Sequence, residues 1–348
     1  MTQSNQPFDT NSDTSPDIRR EPTAPGAEGE AQAPIYDLTN RGELRALLRR
    51  HGVSHTNKGL GQHLLVDRAA LDAVVAAAHL TPDDRVLEVG AGPGTLTVEL
   101  AQRARRVVAV ELDRAILPVL RETTAPHPNV EILHADLLRV EPAMIFGADA
   151  YKLVANLPYY ITALTLRHFF EAQNPPWLLV VMVQREVAER MTAAPGAMSL
   201  LSISVQFYGQ PQIVADVPAS AFFPQPKVDS AVVRIETARE PLLAGAARER
   251  FFVLAHGGFS EKRKQIHNSL ARYLRCDPAT VGQWLAAAEI EPTRRAQTLS
   301  MGEWLRLTHA SLIETPMLPR ADVTTPLKVS RRTRKQSAAE NEEESETT

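Results

Sequence analysis

The chain has 348 residues, a net charge of −3, 44% hydrophobic residues and one cysteine. That length suits one large and one small domain, and the lone Cys276 excludes an internal disulfide and fits a reducing, cytoplasmic setting. The longest buried-looking apolar run, Trp177 to Val183, is a strand length and too short to cross a membrane.

Residues 1–35 carry two Arg against six Asp/Glu with almost no aliphatic residues, which predicts a disordered tail. They lack the basic start and apolar stretch of a signal peptide. Further along, β-branched runs alternate with amphipathic stretches. Strands are predicted at Arg85–Val89, Val107–Glu111, Val130–His134, Tyr151–Ala155 and Trp177–Gln184, and helices at Thr95–Ala104, Arg114–Thr123 and Ala163–Glu171. Strands apolar almost throughout imply a parallel sheet covered on both faces. Leu201–Tyr208 and Gln212–Val217, joined by Gly209-Gln210-Pro211, predict an antiparallel hairpin at the sheet edge. From Leu242 to Ile313 four helical patterns follow without a strand. Residues 225–275 hold ten Lys/Arg against five Asp/Glu, an excess that suits either a phosphate-contacting surface or a solvated helix face. A basic run (Arg331, Arg332, Arg334, Lys335) and an acidic one (Glu340 to Glu346) predict a solvated C-terminal tail. The expected fold is α/β: a doubly wound, Rossmann-like sheet with an antiparallel edge hairpin, followed by a small helical domain.

Ligands of such sheets bind beyond the carboxyl ends of the strands. After the first strand comes Glu88-Val89-Gly90-Ala91-Gly92-Pro93-Gly94-Thr95. A dinucleotide fold needs G-x-G-x-x-G to seat a pyrophosphate; the G-x-G-x-G spacing here suits a ligand without phosphates and argues against a dehydrogenase. Glu111, ending the second strand, can accept both hydroxyl bonds of a ribose, with Asp113 the better helix cap. Asp136, after the third strand, can accept from an adenine amine or cap a helix. Together these features point to S-adenosylmethionine. The fourth strand ends in Asn156-Leu157-Pro158-Tyr159. An adenine amine is a poor nucleophile because its lone pair is delocalised into the ring. Acceptors on both amine hydrogens, from the Asn156 side chain and a carbonyl of Leu157 or Pro158, would direct that lone pair at a methyl group, while Tyr159 stacks on the base.

These motifs resemble the small-subunit ribosomal RNA adenine N6,N6-dimethyltransferase family. The resemblance runs from about Gly59 to Leu312 and includes Gly61-Gln62-His63-Leu64-Leu65-Val66-Asp67, Gln184-Arg185-Glu186-Val187, the proline-rich block Val217 to Val233, Lys262-Arg263-Lys264 and Asn268-Ser269-Leu270. It implies dimethylation of two neighbouring adenosines near the 3′ end of that RNA, with S-adenosylmethionine as cofactor and no metal. Cofactor contacts would fall on His63, Leu65, Gly90, Glu111, Asp136 and Asn156. Catalytic positions would be Asn156, Leu157, Pro158 and Tyr159, with Phe222 the second aromatic around the base or simply a core residue. Lys227, Lys262, Arg263 and Lys264 would hold RNA. His63 departs from the family's usual Asn. The expected organisation is a tail (1–35), a methyltransferase domain (36–240), a helical RNA-binding domain (241–315) and a charged tail (316–348), in a cytoplasmic monomer acting on the small ribosomal subunit. Two alternatives stay open: a large-subunit RNA adenine methyltransferase conferring antibiotic resistance, and a non-catalytic ribosome-assembly factor of the same fold.

Overall fold

The computed structural model describes residues 19–20, 34–53, 63–159, 161–238 and 240–314. Gly61 and Gln62 of the first motif, the C-terminal tail and most of the N-terminal tail lie outside the described residues. In chain order, β1 (Arg19–Arg20) precedes α1 (Arg41–Arg50), β2 (Leu64–Leu65) and α2 (Arg68–Ala77). Next come β3 (Arg85–Val89), α3 (Thr95–Ala101), β4 (Arg106–Glu111), α4 (Leu117–Thr124), β5 (Val130–His134), α5 (Pro142–Phe146), β6 (Lys152–Asn156), α6 (Thr162–Phe170) and β7 (Leu178–Gln184). Then α7 (Arg185–Met191), α8 (Leu200–Tyr208), β8 (Gly209–Val217), β9 (Phe222–Phe223) and β10 (Ser230–Thr237) lead to four helices. These are α9 (Gly245–Phe259), α10 (Ile266–Leu274), α11 (Pro278–Ala287) and α12 (Met301–Glu314).

The main sheet runs β1-β5-β4-β3-β6-β7-β10-β8. Its centre, β5 through β7, is parallel, and β1, β10 and β8 join antiparallel. The chain steps outward from β3 to β4 and β5, then returns to place β6 on the other side of β3. The loops after β3 and β6 therefore part in opposite directions and open a crevice between them. Alternate strand residues feed opposite faces: Val86, Ala109 and Val154 pack in one core, and Leu87, Val108 and Leu153 in the other. Burial on both sides is why the strands carry almost no polar residues.

At residues 201–208 the expected strand is a helix, α8. Ser199 and Ser202 close a capping box at its start. Leu201 and Val205 pack into one sheet core, whereas Ile203 and Phe207 pack into the core of the four C-terminal helices. Two i,i+4 stripes on opposite faces of one helix place apolar residues at every second position, which imitates a strand. The edge hairpin is formed instead by β8 and β10, with Ser230 opposite Val217 and Thr237 opposite Gly209. Their connection is the proline-rich block, which detours to pair β9 with β2: Leu64 with Phe223 and Leu65 with Phe222.

The helical core forms around Trp284, Trp304, Phe251 and Leu254, all fully buried. Phe207 inserts α8 into this core, its ring 4.5 Å from that of Phe251 and 5.0 Å from that of Phe252. Phe207→Ala should therefore cost about 3–5 kcal/mol in urea unfolding, and a loss below about 1 kcal/mol would show that the two cores are not joined through this ring.

Candidate active site

Beyond β3 the chain turns on glycines with left-handed backbone, Gly90 at φ 74° and Gly92 at φ 57°. The amides of Gly90 and Ala91 both donate to the carbonyl of Val110, at 2.9 and 3.2 Å, so the turn is drawn against the end of β4. Glu111 completes the join. Its Oε2 accepts from the Gly92 amide at 2.7 Å, and its Oε1 accepts from the amides of Leu112 and Asp113 at 2.9 and 2.8 Å. This carboxyl is buried, which raises its pKa, and the three amides oppose that rise by favouring the ionised form.

Asn156 ends β6 across the crevice. Its Nδ2 donates to the backbone carbonyl of His63 at 3.0 Å. A carbonyl can only accept, so the amide orientation is fixed, and Oδ1 accepts no bond from any described residue. His63 is held in turn by Pro224, whose carbonyl takes a bond from Nδ1 at 2.8 Å. That bond places the ring proton on Nδ1 and leaves Nε2 as an acceptor in the neutral ring. The ring stacks on Tyr159, with centroids 5.8 Å apart and planes at 25°. Tyr159 shares a 2.8 Å hydrogen bond with Ser230, and burial raises its pKa and keeps the phenol neutral. The Leu157 amide donates to Met182 at 3.1 Å and the Pro158 carbonyl accepts from Ile161 at 3.2 Å, which sets the backbone of the tetrapeptide.

These groups line one open cleft of about 1060 Å³. His63, Leu65, Gly90, Glu111, Asn156, Leu157, Pro158 and Tyr159 all meet there. Asp136 is not among the lining residues: its Oδ1 accepts from the Leu138 amide at 3.0 Å and caps a short turn, while its neighbours Ala135 and Leu137 line the wall. Phe222 is fully buried in the sheet core and contributes no surface to the cleft. Lys262, Arg263 and Lys264 are exposed on the turn between α9 and α10, and Lys227 is exposed on the β8–β10 connection.

Sequence reasoning missed two residues. Ser230 orients Tyr159, and only the block containing it was legible. Glu88, the penultimate residue of β3, also lines the cleft; an acid inside an apolar strand was the available signal. Burial pushes its pKa up to about 8, with the charge of Glu111 adding to the rise. Its Oε2 has no partner among the described residues. Among the described residues, the charged lining thus consists of two carboxyls and no lysine or arginine. Phosphates would be repelled from such a wall, whereas a ribose diol or a cation would be welcomed.

A sequence model of the ribosomal RNA adenine dimethylase family matches residues 53–310. A ribosomal RNA small subunit methyltransferase A from Dehalococcoides mccartyi is 49% identical over 251 residues, spanning 72% of this chain and 86% of the relative. The protein of the same name from Alkaliphilus metalliredigens is 40% identical over 259 residues, spanning 72% and 90%. A solved 23S ribosomal RNA methyltransferase superposes with a TM-score of 0.59 at 33% identity, covering 71% of this chain and 98% of that one. A dimethyladenosine transferase from Plasmodium falciparum shares the fold, with a TM-score of 0.61 at 24% identity over 72% and 98% of the two chains.

The buried Glu88 carboxyl has a measurable consequence. Unfolded, it ionises near 4.5, and folded it keeps its proton up to about 8. The native state therefore binds the extra proton between those values, and stability falls as pH rises through that window, then levels off. Glu88→Gln should remove a slope of about 1 kcal/mol per pH unit from urea unfolding measured across the window. Parallel curves for the two proteins would mean that Glu88 is ionised in the fold.

Proposed function

The chain belongs to the ribosomal RNA adenine dimethylase family, and from that premise we propose how its cleft performs the reaction. The enzyme is an S-adenosylmethionine-dependent RNA methyltransferase that dimethylates the N6 amines of two adjacent adenosines near the 3′ end of small-subunit ribosomal RNA, in ribosome biogenesis. The observation that carries the mechanism is the fixed Asn156 amide. With Nδ2 committed to His63, Oδ1 is the atom left for an incoming amine.

The residues present fit the cofactor. Three features support this: a wall free of lysine and arginine among the described residues, a glycine turn that brings backbone close, and a buried Glu88 carboxyl oxygen, Oε2, without a partner among the described residues. S-adenosylmethionine supplies the electrophilic methyl group. Glu111 would accept the ribose hydroxyls, and Leu112, half exposed at the lip, would cover the purine. Glu88 would face the cationic end, where a positive charge favours its ionised form. Asp136 would reach the adenine amine only through the oxygen that does not cap Leu138.

On the acceptor side, Asn156 Oδ1 takes one hydrogen of the adenine N6 amine. The Pro158 carbonyl already holds the Ile161 amide, so the Leu157 carbonyl is the better second acceptor. Two acceptors on the amine drive it toward a tetrahedral nitrogen whose lone pair points along the transfer path. Tyr159, kept flat against His63 and anchored by Ser230, offers the stacking face. No strong base is required, because the alkylated amine sheds its proton readily, and rate enhancement comes from alignment and preorganised acceptors. Phe222 can form the other side of a base sandwich only by leaving its core position, so Tyr159 and His63 carry the stacking in this conformation.

We assign residues 36–240 to catalysis and 241–315 to RNA binding, with Lys227, Lys262, Arg263 and Lys264 on phosphates of the partly assembled small subunit, in a cytoplasmic monomer. Small-subunit specificity is favoured over the large-subunit reading by 49% identity to a small-subunit enzyme against 33% to a 23S enzyme. An assembly factor without turnover is disfavoured because Glu111, Asn156 and Tyr159 all stand in one cleft.

Labelled S-adenosylmethionine, incubated with small and large subunits from cells lacking this enzyme, tests the assignment. Dimethyladenosine should appear in small-subunit RNA only. Label in large-subunit RNA would move the chain to the resistance-type reading, and no label in either would refute methyl transfer. In the same assay Asn156→Ala should lower kcat by about 10²–10³ with little change in RNA affinity, and full activity would remove Asn156 from the mechanism.

A further inference from the structure

Helix α1 carries four arginines and one glutamate in ten residues. Leu44, Leu47 and Leu48 are buried against Leu38, Ile116 and Val119. Arg41, Arg45 and Arg49 recur every fourth residue and are all exposed, so they form a ridge along one flank. No carboxylate among the described residues forms a salt bridge with any of the three. Arg50, off the ridge, behaves differently, because Glu122 of α4 neutralises it.

The ridge stands directly behind the cleft wall. The Arg41 guanidinium donates to the carbonyl of Ser220, and that of Arg45 lies 4.4 Å from the centre of the Phe223 ring. Ser220 and Phe223 flank Phe222 on the connection whose strand β9 pairs with β2, and His63 immediately precedes β2. Pro224, the next residue, holds the His63 ring. Arg41 and Arg45 are thus fastened to the connection that, through Pro224 and β9, positions His63.

From this juxtaposition we infer that the Arg41–Arg45–Arg49 ridge of α1 is a second phosphate-binding surface, which grips the RNA strand beside the target adenosine. The inference rests on the RNA-methyltransferase reading above. Arginine suits this role by geometry as well as charge. A guanidinium lying on an aromatic face, or tied by one N–H to a carbonyl, keeps its remaining N–H edges in a fixed plane. Such a fork matches two phosphate oxygens and loses little freedom on binding. The exposed Lys262–Lys264 turn lies on the separate helical core, so the RNA would be held from both domains. The ridge sets the strand close to the base, and the helical turn holds it further off.

The test compares full-length wild type with Arg41→Gln/Arg45→Gln/Arg49→Gln and with the matching Arg→Lys triple. Affinity for small-subunit RNA is measured between about 50 and 200 mM salt, alongside S-adenosylmethionine calorimetry and thermal unfolding. The glutamine variant should lose about two to three from the slope of log affinity against log salt, and bind about tenfold or more weakly at the midpoint. Its cofactor affinity should be unchanged. The lysine variant should recover the slope, since lysine keeps the charge. An unchanged slope in the glutamine variant overturns the inference. So does a loss that lysine does not rescue and that tracks a lowered unfolding temperature, because the arginines would then serve packing on Phe223. Unaltered affinity for naked RNA with lost affinity for the subunit also overturns it, by pointing to a protein contact. Absence of RNA binding by the wild type would instead strike the functional reading itself.

Discussion

Three backbone N–H groups converge on the Glu111 carboxylate, and the geometry of the cleft depends on that convergence. The bond to Gly92 locks the turn after β3 to the end of β4, and the other two hold the first residues beyond β4. The Gly92 bond adds to those that the Gly90 and Ala91 amides make to the Val110 carbonyl, so three amides of the turn are tied to the end of β4. The same carboxylate stands at the lip where a ribose would lie. One acid organises the loop, and under the proposed function its remaining lone pairs would meet the diol.

The second constraint is topological. Because the chain reverses direction across the sheet between β3 and β6, the glycine turn and the Asn156 tetrapeptide line the same cleft. A Cβ on Gly90 would sit 3.7 Å from the Asn156 carbonyl, so the two loops are near neighbours. The small β2–β9 sheet closes one side, and its pairing fixes His63 opposite Asn156. Cofactor-side and base-side groups thus come from separate strands and meet in one cleft. A shift of either loop would be felt at both.

Much of this was legible in the residues. The parallel sheet followed from strands without polar alternation, and the site from the residues just beyond them. His63, which stands where the family usually has Asn, is held by the Nδ1 bond to Pro224 and the backbone bond from Asn156, neither of which has a sequence signature. Helix α8 misled because it lies between two cores, where burial on opposite faces erases the helical period. Phe222 could be read as a stacking or a core residue, and its depth is decided by strand pairing with Leu65, a long-range contact. Lys152 is a similar case. It is buried at the start of β6, donating to the carbonyls of Ala78 and His79 and to Asp84, and nothing near it in sequence announces those partners.

Every role proposed for the cleft requires that its Glu111 end hold the cofactor. Calorimetric titration of S-adenosylmethionine into Glu111→Ala, with the fold checked by circular dichroism, addresses that directly. Loss of detectable binding in a folded protein is the predicted result. Retention of wild-type affinity would contradict it, because the ribose would then lie elsewhere and the roles given to Glu88, Asn156 and Tyr159 would lose their common frame.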